Sequence, residues 1–406
     1  MIGDTHIDDV PDDTTAVLPM YHPQPEGYDW RTETHACFPL SAWIIPAQQP
    51  VLDANMQKAV DTGNVTALWG HFAEKLIMEG SRCIGVYARD AETGGYVKVN
   101  AAKGVVLATG DYGSNVAMVA HFCPDVAANG IFCLWPNFDV EGNPTNTGDG
   151  LKLGAWVGAL VQQHHAPMIH HMGGGNGVLM GTLGISPYLR LDLNGKRFMD
   201  EDCPGQQTEN QIERLKSKKC YMFWDADWAE QVPHFAAQHG GVAYVLDELP
   251  QNNMPDGAVL RSAVDDAVAA GNVMAADSIE ALLDQIDDID RAAALASVER
   301  YNELARAGYD EDFGKPAGRM FPLQTAPFYC CVMDQAAMLA CIGGLESDED
   351  CHTFDADRNV IGGLYVAGNV QGDRFAVQYP IALKGASHSM ALYYGYVAGK
   401  NAVAEL

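Results

Sequence analysis

The chain has 406 residues, of which 48% are hydrophobic and 41 are glycine, and this length is sufficient for two packed domains. Its formal net charge of -28 argues against a nucleic-acid-binding protein, because an acidic surface repels phosphate backbones. The ten cysteines form no CxxC or CxxCH pair, so the sequence indicates neither a zinc ribbon, a c-type haem nor a small disulfide scaffold.

The N-terminal segment gives no dinucleotide-binding signature. Residues 1–30 are polar and proline-rich and contain no strand followed by a GxGxxG turn, the pattern that places a pyrophosphate at a helix N-terminus. Further along, Gly173–Gly177 and Gly240–Gly241 follow no clear strand and open no clear helix. The chain also shows no signal peptide after Met1 and no apolar run near the roughly 20 residues of a membrane span, so we expect a cytoplasmic protein.

Strand signals begin after this segment. Val65–Ile77 alternates between apolar and polar residues and predicts a pair of strands, and Gly85–Ala88 with Tyr96–Val99 predicts a hairpin. The apolar run Val105–Ala108 predicts a buried strand, which ends in a glycine turn at Thr109-Gly110. These elements are typical of one layer of an α/β domain.

A second turn, Thr147–Gly150, places a carboxylate at a helix start. Asp149 is a candidate N-cap for a helix over Leu151–Leu160, and capping is compatible with contact to a ligand. The His164-His165 and His170-His171 pairs invite a metal hypothesis. Because adjacent histidines on a strand point to opposite faces and no acid or cysteine has matching spacing, we predict no metal site.

The composition shifts toward charged helices and loops between Gly173 and Met320, which indicates a second domain. Within it, Leu189–Leu193 alternates as a strand, and Asn194-Gly195 turns the chain toward Arg197 and Glu201. Arg197 is either one half of a structural ion pair with Glu201 or a catalytic residue, and the sequence leaves both roles open.

The C-terminal segment combines a buried strand with a long helix. Leu364–Ala367 is apolar and bounded by glycines on both sides, and from Ala386 onward apolar residues recur at near-helical spacing. The N-terminus of such a helix carries unpaired N–H groups and a partial positive charge. This end would suit a cofactor edge that becomes anionic on reduction.

Three motifs of this segment resemble the C-terminal flavin-binding region of the fumarate reductase and succinate dehydrogenase flavoprotein superfamily: Leu364–Gly368, Tyr379-Pro380 and Ser387–Gly395. The Tyr-Pro form is similar to the ketosteroid dehydrogenase-like and bacterial reductase branches. Further segments resemble family motifs in the same order, namely Val105–Gly110, Thr147–Gly150, Asn194–Phe198, Val298–Asn302 and Asp312–Lys315. In the first of them Asp111 stands where the family has a second glycine.

The resemblance implies an α/β fold with a Rossmann-like FAD-binding domain of the glutathione reductase type. It divides the chain into a partial FAD-binding domain (1–172), an inserted α+β capping domain (173–320) and the C-terminal part of the FAD-binding domain (321–406). The family's first strand, GxGxxG turn and helix are missing from this pattern, so the FAD-binding domain is expected to be N-terminally incomplete. One explanation is a separate chain that carries the missing segment.

The same resemblance implies FAD as the cofactor and no metal. The residues expected to contact FAD are Val65, Ala108, Thr109, Gly110, Asp149, Gly368, Asn369, Ser387, His388 and Ser389. For His388 the alternative is a cap of the last helix. Arg374, the only base in the loop before Tyr379, either holds an anionic group or is a solvated loop residue.

Candidate catalytic residues are Tyr379, His165 and Arg197. By resemblance Tyr379 lies at the substrate, where a phenol can polarise a carbonyl or move a proton, with a packed aromatic as the alternative. His164 or His165 would lie near the mouth of the active site. Gly205 replaces the proton-donating arginine of true fumarate reductases, and their substrate-binding arginine and histidine are also replaced. Without those carboxylate clamps we do not expect fumarate as the substrate.

The sequence therefore predicts a FAD-dependent oxidoreductase that transfers hydride between FAD and an activated C=C or C–C bond of a small organic substrate. The electron donor is not indicated. The alternative from another class is a non-catalytic or split-subunit remnant that does not bind FAD alone. A third hypothesis is a dehydrogenase that acts on a steroid-like ketone.

Overall fold

The computed structural model describes residues 49–133, 137–139, 141–173, 186–203, 205–234, 244–245, 258–259, 262–375, 377–379 and 386–404. Residues 1–48, 174–177, 240–241 and 380–385 lie outside this set. The described residues divide into two compact units. Unit A contains residues 63–169, 337–379 and 386–404, and unit B contains residues 49–62 and 170–336. The predicted domain boundaries at 172 and 320 stay a prediction.

The described helices and strands follow in chain order. The helices are α1 (Gln49–Asp61), α2 (Val116–Phe122), α3 (Pro124–Ala128), α4 (Asp149–Trp156), α5 (Gly205–Arg214), α6 (Trp228–Gln231), α7 (Ala263–Ala269), α8 (Ile279–Leu283), α9 (Arg291–Ala307) and α10 (Ala386–Ala404). The strands are β1 (His71–Glu79), β2 (Arg82–Asp90), β3 (Tyr96–Asn100), β4 (Val105–Leu107), β5 (Phe132–Cys133), β6 (Ala166–Gly173), β7 (Leu189–Leu191), β8 (Cys220–Trp224), β9 (Tyr244–Val245), β10 (Ala258–Val259), β11 (Met274–Ala276), β12 (Phe328–Ile342), β13 (His352–Phe354) and β14 (Val360–Val366).

The central strand of unit A is β14. It pairs in parallel with β4 from Leu364↔Val105 to Val366↔Leu107, in parallel with β2 at Gly362, and antiparallel with β13. Its side chains from 364 to 366 are fully buried, which explains the continuous apolar run, because a parallel strand covered on both faces needs no alternation. The predicted buried strand is confirmed, although it begins earlier than expected.

The strands β1, β2 and β3 form an antiparallel meander in unit A. The predicted hairpin is confirmed by the pairing of β2 with β3, with Val86 opposite Val99 and Tyr87 opposite Lys98. The predicted strand pair over Val65–Ile77 is wrong. One strand begins at His71, and the residue before it, Gly70, has a φ of 68°, a left-handed turn conformation that ends extended structure.

Unit B is built on an antiparallel sheet in which β8 lies between β7 and the first part of β12. Alternate residues of β8 face opposite sides, so Met222 and Trp224 pack in one hydrophobic cluster while Tyr221 and Phe223 pack in another. Helix α9 covers the second cluster with Val298, Tyr301 and Leu304. The two faces of one sheet thus account for most of the apolar residues of this unit.

Helix α10 begins at Ala386, as the sequence predicted. Within unit A, the small residues Ala398 and Ala402 of this helix are buried against Tyr365 and Cys351. Large side chains on the other face are exposed: Leu392, Tyr393, Tyr396 and Val403. Tyr394 and Val397 pack on the same cluster, so part of the predicted apolar stripe holds the helix and part of it is exposed.

The described cysteines are all free thiols, and most of them are buried. Cys330 and Cys331 are fully buried in the sheet of unit B and are core residues rather than a redox pair. Within the described part of the chain, no helix is long and apolar enough to cross a bilayer.

Candidate functional site

Two parallel strands of unit A end side by side. Beyond β4 the chain enters the turn Ala108–Gly110, beyond β14 it enters Gly368–Val370, and the Ala367 N–H donates to the Leu107 carbonyl at 3.0 Å. Ala108 and Thr109 are exposed, and Gly110 and Gly368 both have a φ of 74°. Ligands of open α/β sheets bind at the carboxyl ends of such strands.

The predicted turn Thr147–Gly150 packs directly on the turn after β4. A Cβ atom at Gly150 would lie 1.9 Å from Thr109 Oγ1, so only glycine allows this contact. The Gly148 N–H donates to the Asp111 carbonyl at 3.2 Å. Two motifs 40 residues apart in sequence thus form one continuous surface, as their co-occurrence in the sequence suggested.

Asp111, in place of the family's second glycine, locks this region together. The buried carboxylate accepts hydrogen bonds from the Gly113 N–H at 3.1 Å, the Asn146 side chain at 3.0 Å and the Cys341 N–H at 3.2 Å. Each partner comes from a different segment. Asp111 is therefore a structural junction, a role that sequence reasoning missed.

The N-cap prediction for Asp149 is wrong. The helix begins at Asp149 itself and ends at Trp156, with Gly148 in the N-cap position at a φ of 73°. The Asp149 carboxylate accepts from Thr147 Oγ1 and from Lys152 Nζ, both at 2.6 Å. Burial alone would raise the pKa of Asp149, but the bonds from Lys152 and Thr147 outweigh it and the pKa lies below its ordinary value. This half-exposed carboxylate is ionised at neutral pH.

The start of α10 is tied to the turn after β14 through Asn369. Its Oδ1 accepts from Ser387 Oγ at 3.1 Å and from Arg374 Nη2 at 2.9 Å. His388 and Ser389 are exposed on the first turn of α10. The structure thereby brings the predicted contacts Gly368, Asn369 and Ser387 together in unit A.

Tyr379 lies at the same helix start. Its hydroxyl accepts a hydrogen bond from the Ser387 N–H at 3.3 Å, and its ring packs edge-on against Phe375 at 5.3 Å. Burial raises the pKa of Tyr379, although the Ser387 amide and Arg374 partly oppose this. The phenol is thus protonated at neutral pH, and it occupies one of the amide groups that the sequence predicted to face a cofactor.

The environment of His165 favours a core role over the predicted contact with substrate. Nε2 lies 2.7 Å from the Gln162 carbonyl and must donate to it, so Nδ1 accepts from the Tyr112 hydroxyl at 2.5 Å. Phe122 stacks on the ring at 4.2 Å. Burial lowers the pKa of His165, so the imidazole is neutral. Its neighbour His164 is exposed.

Arg197 forms a buried ion cluster in unit B. Its Nε and Nη2 atoms donate to the Glu201 carboxylate, both at 2.9 Å. Its Nη1 and Nη2 atoms donate to the Asp310 carboxylate at 3.1 and 2.9 Å. Burial alone would lower the pKa of Arg197, but the two carboxylates outweigh it and the pKa is raised. This arginine is permanently charged, which favours the ion-pair alternative over a proton-donating role.

The predicted contact of Val65 with FAD stays a prediction. The residue is 40% exposed and precedes β1 in a segment without regular structure. No group of three histidine, cysteine, aspartate or glutamate side chains placed to bind a metal occurs among the described residues. Arg374 is partly buried, which argues against the alternative that it is a solvated loop residue.

Comparisons with known proteins agree with this geometry. A family model for the FAD binding domain matches residues 21–382. Similar curated proteins are an NADH:acrylate oxidoreductase of Vibrio harveyi (24% identity over 93% of this chain and 36% of that protein) and a digoxin reductase of Eggerthella lenta (28% identity, 80% and 56%). A 3-oxosteroid 1-dehydrogenase of Mycolicibacterium smegmatis is 23% identical (80% and 56%). The chain thus spans about a third to just over half the length of these relatives.

Solved structures give the same fold. A 3-ketosteroid delta1-dehydrogenase from Sterolibacterium denitrificans superposes with a TM-score of 0.62 at 20% identity, over 86% of this chain and 62% of that chain. The open conformation of a flavocytochrome c3 fumarate reductase gives 0.56 at 19% identity, over 87% and 55%. The predicted superfamily, α/β fold class and FAD cofactor are confirmed. With most of its length matched by the family model, this chain belongs to the FAD binding domain family, within the flavoprotein superfamily of fumarate reductases and ketosteroid dehydrogenases.

Proposed function

We propose that the chain holds FAD on unit A and works as a flavin-dependent oxidoreductase on a C=C or CH–CH group. The observation that carries this proposal is the convergence of the exposed turn after β4 and the partly buried turn after β14 with the first turn of α10. The residues fit the cofactor. Gly150 leaves room for the turn Thr147–Gly150 to pack on the turn Ala108–Gly110, and Ala108 and Thr109 stay exposed.

Each predicted contact has a role in this arrangement. Ala108, Thr109, Gly110 and Asp149 would hold the nucleotide part, with the ionised Asp149 accepting hydrogen bonds from hydroxyl groups. Gly368, Asn369, Ser387, His388 and Ser389 would hold the ring system. Val65 remains a proposed contact of the adenosine part. FAD, when bound, supplies the hydride donor or acceptor.

The remaining chemistry belongs to the side chains. Tyr379 carries its proton at neutral pH, so its hydroxyl can donate to a substrate oxygen or to a carbon that becomes carbanionic. His165 positions Tyr112 rather than the substrate. Arg197 holds together part of residues 173–320, which we assign as the capping domain.

The proposed substrate is a small molecule whose C=C or CH–CH group lies next to an electron-withdrawing group. The relatives named above act on acrylate, digoxin and 3-oxosteroids. Gly205 at the start of α5 cannot act as a proton-donating arginine, and fumarate is therefore not the expected substrate. An electron donor is the partner we propose.

Cofactor binding separates this function from the alternative of a non-catalytic or split-subunit scaffold. Purified chain mixed with FAD and freed of excess cofactor should be yellow, with the absorbance bands of bound flavin. A colourless protein after this treatment would favour the scaffold alternative.

Replacing Tyr379 with phenylalanine should lower the rate of substrate turnover by about 10²–10⁴-fold, because it removes a general acid. FAD binding should persist, since the ring and its contact with Phe375 remain. The measurement is the rate at which acrylate or a 3-oxosteroid with a C1=C2 double bond reoxidises the photoreduced flavin, since the C=C bond takes up the hydride and the proton. The control is Tyr309→Phe, which alters an exposed tyrosine of unit B. Equal loss in both variants, or no loss in either, would contradict the role of Tyr379.

A further inference from the structure

One edge of the Arg374 guanidinium is left without a partner. Nε donates to the Gln371 carbonyl at 3.2 Å and Nη2 donates to Asn369 Oδ1 at 2.9 Å. Nη1 is sealed from solvent and finds no acceptor among the residues that the structure describes. Because an unsatisfied buried N–H is unfavourable, this nitrogen is a place where a bound acceptor would be stabilising.

The charge of Arg374 is also poorly compensated. The two oxygens that it binds, a backbone carbonyl and a side-chain amide, are both neutral. Asp111 attracts it from a distance, but the Asp111 carboxylate is bonded to Gly113, Asn146 and Cys341. Burial lowers the pKa of Arg374 to about 10, against the attraction of Tyr379, Asp111 and Tyr394, so the side chain is a cation at neutral pH.

A second source of positive potential lies next to this cation. Asn369 Oδ1 joins Arg374 to Ser387, in the first turn of the 19-residue helix α10, whose N-terminus carries a partial positive charge. The Tyr379 hydroxyl lies at the same turn. A guanidinium edge and a helix N-terminus therefore act on one place in unit A, and both favour an anion.

We propose that Nη1 of Arg374 binds a single anionic oxygen in the flavin site. That oxygen belongs either to a monocarboxylate substrate or to the pyrimidine edge of FAD after reduction. Among the described residues, Nη1 is the guanidinium nitrogen of Arg374 that has no acceptor, and its N–H groups can donate to that oxygen. This assignment rests on the proposed function for its setting, but it can be tested without it.

The first arm of the test measures anion binding by calorimetry, with and without FAD. Cinnamate is the probe and cinnamamide is its neutral control. If the oxygen belongs to the substrate, R374Q weakens cinnamate binding at least tenfold and leaves cinnamamide binding unchanged. R358Q is the matched control, because Arg358 belongs to unit A, is 69% exposed in its side chain and pairs with Glu346 at the surface. A melting curve establishes that each variant folds, and R374K retains the charge if R374Q does not fold.

The second arm measures the midpoint potential of bound FAD by spectroscopic titration with dithionite. If the oxygen belongs to the flavin, R374Q loses a tenfold preference for the reduced cofactor, a fall of about 30 mV for a two-electron couple. Wild-type values for R374Q in both arms would overturn the assignment.

The two proposals can fail separately. A chain that binds no FAD but binds cinnamate through Arg374 would refute the proposed function and leave the anion site standing. A wild-type chain that binds neither cinnamate nor FAD would overturn both.

Discussion

Replacing Glu201 with glutamine should lower the free energy of unfolding of unit B by about 3–5 kcal/mol, the usual result of removing one partner from a buried ion cluster. Glu201 is fully buried, binds Arg197 at 2.9 Å and lies 3.4 Å from the buried Lys315. The variant would leave Arg197 paired with Asp310 and would leave the Lys315 ammonium with the neutral oxygens of Pro187 and Tyr301. Urea unfolding followed by circular dichroism measures the loss, and hydrogen exchange assigns it to unit B.

The pH dependence of this difference has a definite sign. Burial alone would raise the pKa of Glu201, but Lys315 and Arg197 outweigh it and the pKa lies below its ordinary value. A carboxylate with a depressed pKa stabilises the fold above its unfolded pKa and loses this contribution as the pH falls. The difference in the free energy of unfolding between wild type and E201Q should therefore become smaller at acid pH. The neighbouring Asp200, whose pKa burial raises to about 6, acts in the opposite direction, and E201Q removes the smaller upward contribution of the Glu201 charge to this pKa.

An exposed glutamate of the same unit provides the control for this prediction. Glu303 is 69% exposed in its side chain and lies 3.9 Å from Arg300, so E303Q should change stability by no more than about 0.5 kcal/mol. If E201Q proved as stable as E303Q, the Arg197–Glu201–Lys315 cluster would contribute nothing to folding, and a catalytic role for Arg197 would gain support.

Replacing Gly344 with alanine should destabilise unit A by about 1–3 kcal/mol and weaken FAD binding. A Cβ atom there would lie 2.1 Å from the Val370 carbonyl oxygen, a backbone atom that cannot move without shifting the Gly368–Val370 turn. Because that turn contains Asn369, the disturbance should reach the proposed ring site. Urea unfolding and FAD titration by fluorescence quenching measure the two effects.

Gly399 offers a matched glycine in unit A. It lies within α10, and no atom comes within 4 Å of the Cβ that alanine would add. G399A should therefore stabilise the chain by about 0.5–1 kcal/mol, since alanine loses less backbone entropy than glycine in a helix. A G344A protein that unfolds and binds FAD like G399A would show that the turn tolerates the extra carbon.

Local signals at element ends explain which elements the sequence could predict. Glycines on both sides of the β14 run, and the change to helical spacing at Ala386, mark features that depend on neighbouring residues alone. The failure at Val65 has the opposite cause, because alternation suggested a strand while the left-handed Gly70 delays it to His71. Asp149 failed as an N-cap because Gly148, with its positive φ, already occupies that position.

The site depends more on contacts between distant segments. The motif at Thr109 could be placed because family motifs occur in order, and Gly150 shows the physical reason for its pairing with Thr147–Gly150. The role of His165 could not be foreseen, since Tyr112 is 53 residues away in sequence. Nor can a sequence decide whether a loop arginine such as Arg374 is solvated, because its exposure depends on what the chain packs around it.

A buried thiol in each unit allows the opening of the two units to be followed separately. Burial raises the pKa of Cys331 in unit B to about 12 and that of Cys351 in unit A to about 11, so both are protonated and unreactive while the protein is folded. The Cys351 thiol also contacts the Tyr394 carbonyl of α10 at 3.5 Å. Alkylation with iodoacetamide, followed by peptide mass analysis, would thus report undocking of the last helix at Cys351 and melting of the other sheet at Cys331 in a single sample.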